Sequence, residues 1–538
     1  MELTGFAGRT TKAALFALVL GAGGIALPHA GVAQVTAFKQ AVAETGARDG
    51  DIAKFYRQQD FEGIWTGDED VHRARRAALL DALRRADDHG LPVARYDADK
   101  LERQMAAART PRDLGRIEVE MTRMYLQYAR DLQSGALIPS RTVSAIKREV
   151  RYTDRSELLR GLVAGRPAGY LRSLAPRTIE YSALMKQKFL LQEQLSRGGW
   201  GPVVTASSVK PGETGPAVVN LRDRLMRMGY LKRSNARGYD AQLTAAVVAF
   251  QQAHGLEQDG VAGEGTIKQI NEGIEARLKS ILVAMERERW LNHERGERHI
   301  LVNIPDFTAK IVDNGRVTFE TRSVVGAARE DRPTPEFSDM MSHMVINPSW
   351  YVPRSIVVNE YLPALRANPN AVRHIDVVDR SGRTVRRSSA NFSRYSARTF
   401  PYSMRQPPSK SNALGLVKFM FPNKYNIYLH DTPAKSLFNR EVRAFSHGCV
   451  RLNDPFDFAY ALLSKQEADP EGFFKSRLRT GRESRVNLAT EVPVHIIYRT
   501  AYTDARGNLN FRRDIYGRDA RIWDALQKAG VVLSGVQG

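Results

Sequence analysis

The chain has 538 residues, 43% of them hydrophobic, and a formal net charge of +21. That length suggests three or four domains, and the apolar share sets the chain among soluble globular proteins with sizeable cores. The charge suits an anionic partner (nucleic acid, anionic lipid or an acidic wall polymer) or is solvated surface; no RNP, zinc-finger or helix-turn-helix pattern is present, so nucleic acid is set aside.

Residues 1–33 read as a secretory signal. Arg9 and Lys12 supply the positive start, Ala13 to Leu27 the apolar stretch, and Gly31-Val32-Ala33 the small residues for cleavage before Gln34. A retained anchor is the alternative, although the run is short for a span. Residues 34–50 read as a leader to the first domain. Residues 51–197 are expected to form a helical scaffold domain. Leu79, Leu80, Leu83 and Ala86 make one stripe at helical spacing, and Ile117, Met121, Met124, Tyr128 and Leu132 another. Phe55, Phe61, Ile64 and Trp65 look like anchors of the same core, and no catalytic cluster stands out in this stretch.

Gly198 to Pro216 is rich in Gly, Pro and Ser and reads as a linker. Residues 213–273 read as a small helical module. Leu221, Leu225, Met228 and Leu231 line one helix; Leu243, Val247, Phe250 and His254 begin a second; Thr266, Ile267 and Ile270 lie on a third. The strings Ala246-Val247-Val248-Ala249-Phe250-Gln251, Gly255-Leu256 and Asp259-Gly260-Val261-Ala262-Gly263 resemble the type 1 peptidoglycan-binding domain. The resemblance implies a three-helix, wall-binding unit; a module that only spaces its neighbours is the bland alternative.

Glu275 to Trp290 is expected to be a helix leading into a catalytic domain over 298–503. There the periodicity changes to short strand-like runs at 300–304, 308–312 and 316–321, with Asp313-Asn314-Gly315 as a hairpin signal. A helical, polar insertion follows from about 355 to 405, basic and Ser-rich in its second half; so long an excursion between strands suits a lid. Asp454-Pro455 is expected to cap a helix whose Phe458, Ala459, Leu462 and Leu463 face inward. Residues 504–538 are read as a C-terminal hairpin and tail. The fold class is thus multidomain: a helical scaffold, a three-helix module, and a mainly β, sandwich-like catalytic domain with a helical lid.

Cys449 is the only cysteine, inside Ser446-His447-Gly448-Cys449-Val450-Arg451, and His430 stands nineteen residues upstream. An exported chain meets oxidising conditions, which favour paired cysteines, and this one cannot pair internally. It is a reactive thiol, an intermolecular bridge or an inert buried residue. A His within reach can lower a thiol's pKa and carry its proton. His430 and His447 are both candidates; a ring next to the nucleophile in sequence usually points away, so His430 is the favoured base. The backbone carbonyl of Asp431 can orient it. Gly448 lets backbone approach a substrate, and amides around Gly448 and Cys449 can form an oxyanion hole. Arg451 either grips a substrate carboxylate or forms a structural ion pair.

His430 with Ser446-His447-Gly448-Cys449-Val450-Arg451 at this spacing resembles the L,D-transpeptidase (YkuD-type) motif. Asn412-Ala413-Leu414-Gly415, Lys418 to Asn423 and Tyr428 to Pro433 are similar to the large, multidomain branch of that family. The stretch Arg405 to Ser411 departs from the Pro-Gly turn usual in relatives, and Arg451 stands where some have Asn. The resemblance implies Cys449 and His430 as catalytic residues, with Asp431, His447 and Gly448 in support and Ser446, Arg451, Tyr428 and Asn412 as substrate contacts. It implies no metal and no cofactor. It further implies thioester acyl transfer on peptidoglycan tetrapeptide stems, 3→3 cross-links, carbapenem sensitivity and a periplasmic, wall-associated place. The acceptor is a second stem or an outer-membrane protein amine. Two other readings compete: a zinc peptidase, without the usual paired His motif, and a non-catalytic wall-binding protein with an inert Cys449.

Overall fold

The computed structural model describes residues 30–329 and 332–533. The signal reading falls largely on residues outside these. Among the described residues, no helix is long and apolar enough to cross a membrane. The segment expected to be a leader is instead a helix, Ala30–Gly46, which packs Ala41 and Val42 into the scaffold. Gly115 admits it: a Cβ there would lie 2.7 Å from the Phe38 carbonyl oxygen.

The scaffold is helical, built around Pro111–Ser134, which opens with a capping box between Thr110 and Asp113. Its stripe faces inward as the spacing predicts, with Met121, Tyr128 and Leu132 buried against Leu79, Leu83 and Trp65. A buried carboxylate completes this core. Glu118 accepts hydrogen bonds from the Tyr56 hydroxyl, the Thr66 hydroxyl and the amides of Ile64, Trp65 and Thr66. The small module has three helices, Pro216–Arg227, Ala241–Ala253 and Glu264–Asn271. The presumed linker is partly built into it: Val204 and Val209 are buried in the module core, and Val209 exchanges backbone hydrogen bonds with Ala262.

Helix Ile274–Trp290 is the pillar on which the domains meet, buried on every side from 281 to 290. Its apolar residues read clearly in sequence, but its charged end is buried too, satisfied by the Glu286–Arg289 pair within the helix and by distant partners. Arg287 pairs with Glu336 at 2.7 Å and Asp519 at 2.8 Å, and Glu288 with Arg499 at 2.6 Å.

The catalytic domain is mainly β. Its strands are β1 (Arg298–Asn303), β2 (Thr308–Asp313), β3 (Arg316–Gly326), β4 (Phe337–Ile346), β5 (Trp350–Tyr351), β6 (Asp376–Val378), β7 (Ser403–Gln406), β8 (Val417–Met420), β9 (Leu429–His430), β10 (Ala444–Ser446), β11 (Val450–Leu452), β12 (Ser484–Ile497), β13 (Ala501–Thr503) and β14 (Leu509–Phe511). The main sheet runs β10-β3-β11-β9-β8-β4-β12-β1-β2, and β2 also pairs with β3. The pairing is therefore closed. Long β3 and β12 each carry a register shift in their pairing, where an irregular strand can bend. Asn314 and Gly315 both have positive φ, as the tight β2–β3 hairpin requires. The helix Pro455–Leu463 buries Phe458, Ala459, Leu462 and Leu463 on this core. Asp454 stands at its N-cap position, but its carboxylate accepts from the Thr321 hydroxyl instead of capping.

Two expectations change here. Apart from two short 3-10 turns at 387–389 and 392–394, the insertion is helical only from 354 to 367, with a π turn at 357–361. The rest forms a three-stranded sheet, β5-β7-β6, around its own core of Ile375, Val377, Phe392, Phe400 and Met404. Residues 504–538 are more than a hairpin and tail: after β13–β14 comes a helix, Arg518–Ala529, which buries Ile522 and Leu526 against Trp290 and Val143. Its apolar stripe is short and flanked by charges that only tertiary partners neutralise.

Candidate active site

β9 and β11 lie side by side and parallel, with Val450 opposite Leu429 and Arg451 opposite His430. Leu429 and Val450 are fully buried in the barrel core. Because side chains alternate along a strand, Tyr428, His430, Cys449 and Arg451 share the other face. Residues nineteen positions apart in sequence are thus brought into one cluster. The Tyr428 and His430 rings lie 5.6 Å apart.

His430 is buried, and its Nδ1 donates to the Asp431 carbonyl at 2.5 Å. A carbonyl can only accept, so the proton sits on Nδ1 and Nε2 is left as an acceptor. Burial first, then the nearby Arg451 charge, pushes its pKa down to about 3, against the opposing pull of the Asp431 and Leu414 carbonyls. The Asp431 carboxylate is used elsewhere, accepting from the Leu416 amide and the Lys435 ammonium, each at 2.9 Å. Gly415 makes room for it, since a Cβ there would meet that carboxylate at 2.3 Å.

The Cys449 thiol donates to the Asn426 carbonyl at 3.5 Å. Burial pushes its pKa up to about 11, while the Tyr428 amide, the Tyr428 hydroxyl and Arg451 act against that rise. Among the described residues, no hydrogen bond joins Cys449 to His430; the two share a face as neutral partners. Arg451 is half-buried, its Nε is buried without a partner, and no ion pair holds it among the described residues. Burial lowers its pKa, and the Cys449 charge opposes that.

The other expected residues divide sharply. His447 turns to the insertion, where its Nε2 meets Glu360 Oε1 at 2.7 Å. Ser446 was expected to contact substrate, but it is buried and internal: its Oγ donates to the Cys449 carbonyl at 2.5 Å and accepts from the Gly448 amide at 3.1 Å. The Gly448 N–H is therefore already used and not free for an oxyanion. Gly448 itself has φ +116°, which favours glycine. Asn412 is likewise misplaced as a substrate contact. It is fully buried, its amide donating to the carbonyls of Pro348, Gln406 and Pro407 and its carbonyl accepting from Leu414 N–H. It holds the 406–414 loop together from within.

Sequence reasoning missed Glu360, Thr334 and Asn426, which act across long separations. Asn426 alone left a trace: its positive φ sits in a turn that Asn423 ties with four side-chain hydrogen bonds. Among the described residues, no three His, Cys, Asp or Glu side chains converge as a metal site.

Comparison with known proteins agrees with this layout. Residues 297–482 match the family model of the L,D-transpeptidase catalytic domain, 50–187 that of the Scaffold domain and 214–270 that of the "Putative peptidoglycan binding domain". The chain therefore carries an L,D-transpeptidase catalytic domain joined to a scaffold and a peptidoglycan-binding module. It is 34% identical over 237 residues to a "Putative L,D-transpeptidase" of Haemophilus influenzae, across 43% of this chain and 47% of that protein. The chain thus spans about half the length of that curated relative. A solved L,D-transpeptidase from Xylanimonas cellulosilytica aligns at 16% identity over 55% of this chain and all of that one, with a TM-score of 0.16, too low to bear on the fold.

Proposed function

We propose that this protein is a cysteine L,D-transpeptidase of the cell wall. The observation that carries the reading is the shared face of β9 and β11, where Cys449, His430, Tyr428 and Arg451 stand together. The donor is a peptidoglycan tetrapeptide stem. As Sγ attacks the amide carbon next to the terminal D-Ala, His430 Nε2 takes the thiol proton. The thiol leaves Asn426 and rotates toward His430 to do so; such contacts often tighten only with substrate bound. A new C–S bond forms and the carbonyl π electrons move onto oxygen. Collapse breaks the C–N bond, and the imidazolium returns its proton to the departing D-Ala amine.

In the second half-reaction an acceptor amine attacks the thioester. Its proton passes to His430, the C–N bond forms, the C–S bond breaks, and the sulfur regains its proton. The acceptor is the side-chain amine of a second stem, giving a 3→3 cross-link, or an outer-membrane protein amine, giving a covalent anchor. A neutral imidazole is what the first step needs, and the thiolate's charge then stabilises the imidazolium beside it. Arg451, with its unspent Nε, is suited to a carboxylate of the stem. The insertion excludes water, the competing acceptor. Such a substrate places the enzyme outside the cytoplasm, in the periplasm and against the wall, in keeping with the signal-like start.

The test is to incubate the protein and Cys449→Ala with purified tetrapeptide muropeptides and weigh the products. Loss of D-Ala with 3→3 dimers, absent from Cys449→Ala, supports the proposal. Dimers formed by Cys449→Ala would sink it. A meropenem adduct on Cys449 separates it from the non-catalytic reading, and activity that survives excess chelator separates it from the zinc peptidase.

A further inference from the structure

Thr334 lies outside the motif, between Pro333 and Pro335, and is fully buried. Its hydroxyl donates to the Gly448 carbonyl at 2.7 Å and accepts from the Gly326 amide at 2.9 Å. Thr334 is itself fixed from the C-terminal segment. Its amide donates to the Tyr516 hydroxyl at 3.3 Å, and its carbonyl accepts from Arg518 at 2.7 Å. Ser446 holds the other two groups of the loop, the Gly448 amide and the Cys449 carbonyl. Three of the four polar groups flanking the nucleophile's peptide are thereby tied down.

The fourth is the Cys449 N–H, which has no partner among the described residues. Its direction is nevertheless fixed. In a planar trans peptide the N–H points opposite to the preceding carbonyl. The Gly448 carbonyl is drawn inward to Thr334, so the Cys449 N–H faces outward, beside its own sulfur. There it meets the oxygen that becomes negative when that sulfur attacks a carbonyl.

We propose that Thr334 is a positioning residue for acyl transfer, aiming the Cys449 amide at the developing oxyanion. The assignment rests on the transpeptidase reading. It separates two properties of Cys449. Alkylation by iodoacetamide needs a thiolate but develops no oxyanion; acylation by meropenem needs both.

The experiment follows both reactions by intact mass in the full chain, for wild type, Thr334→Val and Thr334→Ser. Thr334→Val is expected to slow acylation by about 10- to 100-fold, leave alkylation within about twofold, and lower kcat on tetrapeptide with KM little changed. Thr334→Ser, which keeps the hydroxyl, is expected to acylate near the wild-type rate. Should Thr334→Val fail to fold, Thr334→Ala carries the same readout. Equal acylation by wild type and Thr334→Val, a parallel fall in alkylation, or a Thr334→Ser variant as slow as Thr334→Val overturns the assignment. A wild type that is alkylated but never acylated overturns the transpeptidase reading instead.

Discussion

Glu360 and His447 are joined across 87 residues of sequence by a 2.7 Å hydrogen bond that fastens the insertion to the loop carrying Cys449. The same Glu360 oxygen accepts from Arg332 at 2.5 Å. One carboxylate thus latches residues 357–361 to the loop of Cys449, and the His447 Nε2 is engaged in that latch.

Glu360→Ala should therefore loosen the insertion without unfolding the barrel. Two charge-assisted hydrogen bonds on half-exposed groups are worth about 1–2 kcal/mol together, so local opening should rise about 5- to 30-fold. Hydrogen exchange at 357–365 should speed up by that factor while β8 stays protected. Unchanged exchange there would show that the insertion's own contacts hold it closed.

The reactivity of Cys449 should rise with pH well beyond neutrality. Burial holds its pKa up at about 11 and that of His430 down at about 3, so the resting pair is thiol and imidazole. Iodoacetamide labelling should climb about tenfold per pH unit from pH 7 to 10, following the thiolate fraction. A plateau reached by pH 8 would reveal a preformed thiolate–imidazolium pair.

Stability should fall on mild acidification. His430 and His495 are buried neutral with pKa about 3, and His89 with pKa about 4, against 6.5 for the free side chain. A pKa depressed by folding gives stability that is complete above 6.5 and is lost as pH falls toward 3–4. Each such histidine costs up to about 1.4 kcal/mol per pH unit in that window. Urea midpoints should decline steadily from pH 7 to 5, and a flat profile would contradict the buried neutral assignment.

Glu336 neutralises two buried arginines, Arg287 at 2.7 Å and Arg518 at 2.9 Å. Glu336→Ala leaves Arg518 without a carboxylate and Arg287 with Asp519 alone, and should destabilise the protein by about 3–5 kcal/mol, read as a lowered denaturation midpoint. Glu336→Gln, which keeps the shape and one of the two acceptor oxygens but not the charge, should lose less. Glu336 backbone groups also bond Ala145 and Lys147 of the scaffold, so the loss should reach both domains.

Much of the fold was legible because its signals are local. Leu79 and Leu83, or Leu243 and Val247, declare helices by spacing, and Asn314-Gly315 declares its hairpin by backbone chemistry. The helix 518–529 and the buried charges of Arg287 and Glu288 were not legible, because their partners (Trp290 and Val143 for the helix, Glu336, Asp519 and Arg499 for the charges) lie far off in sequence. In the insertion, Val377, Phe392 and Met404 carry no strong period, so the small sheet was read as helix.

The division is sharpest at the site. The sequence by itself singled out Cys449 and His430 as the candidate pair, and the motif around them narrowed the roles open to it. Once β9 and β11 are known, strand alternation sets Tyr428 with His430, and Cys449 with Arg451, on a common side of each. Only the tertiary structure decided that these strands pair in parallel with Arg451 opposite His430, that Ser446 and Asn412 face inward, and that Thr334 and Glu360 reach the loop. Alternation is a property of one strand's covalent geometry, whereas pairing, burial and hydrogen-bond partners are settled when distant segments compete for the same core and the same polar groups.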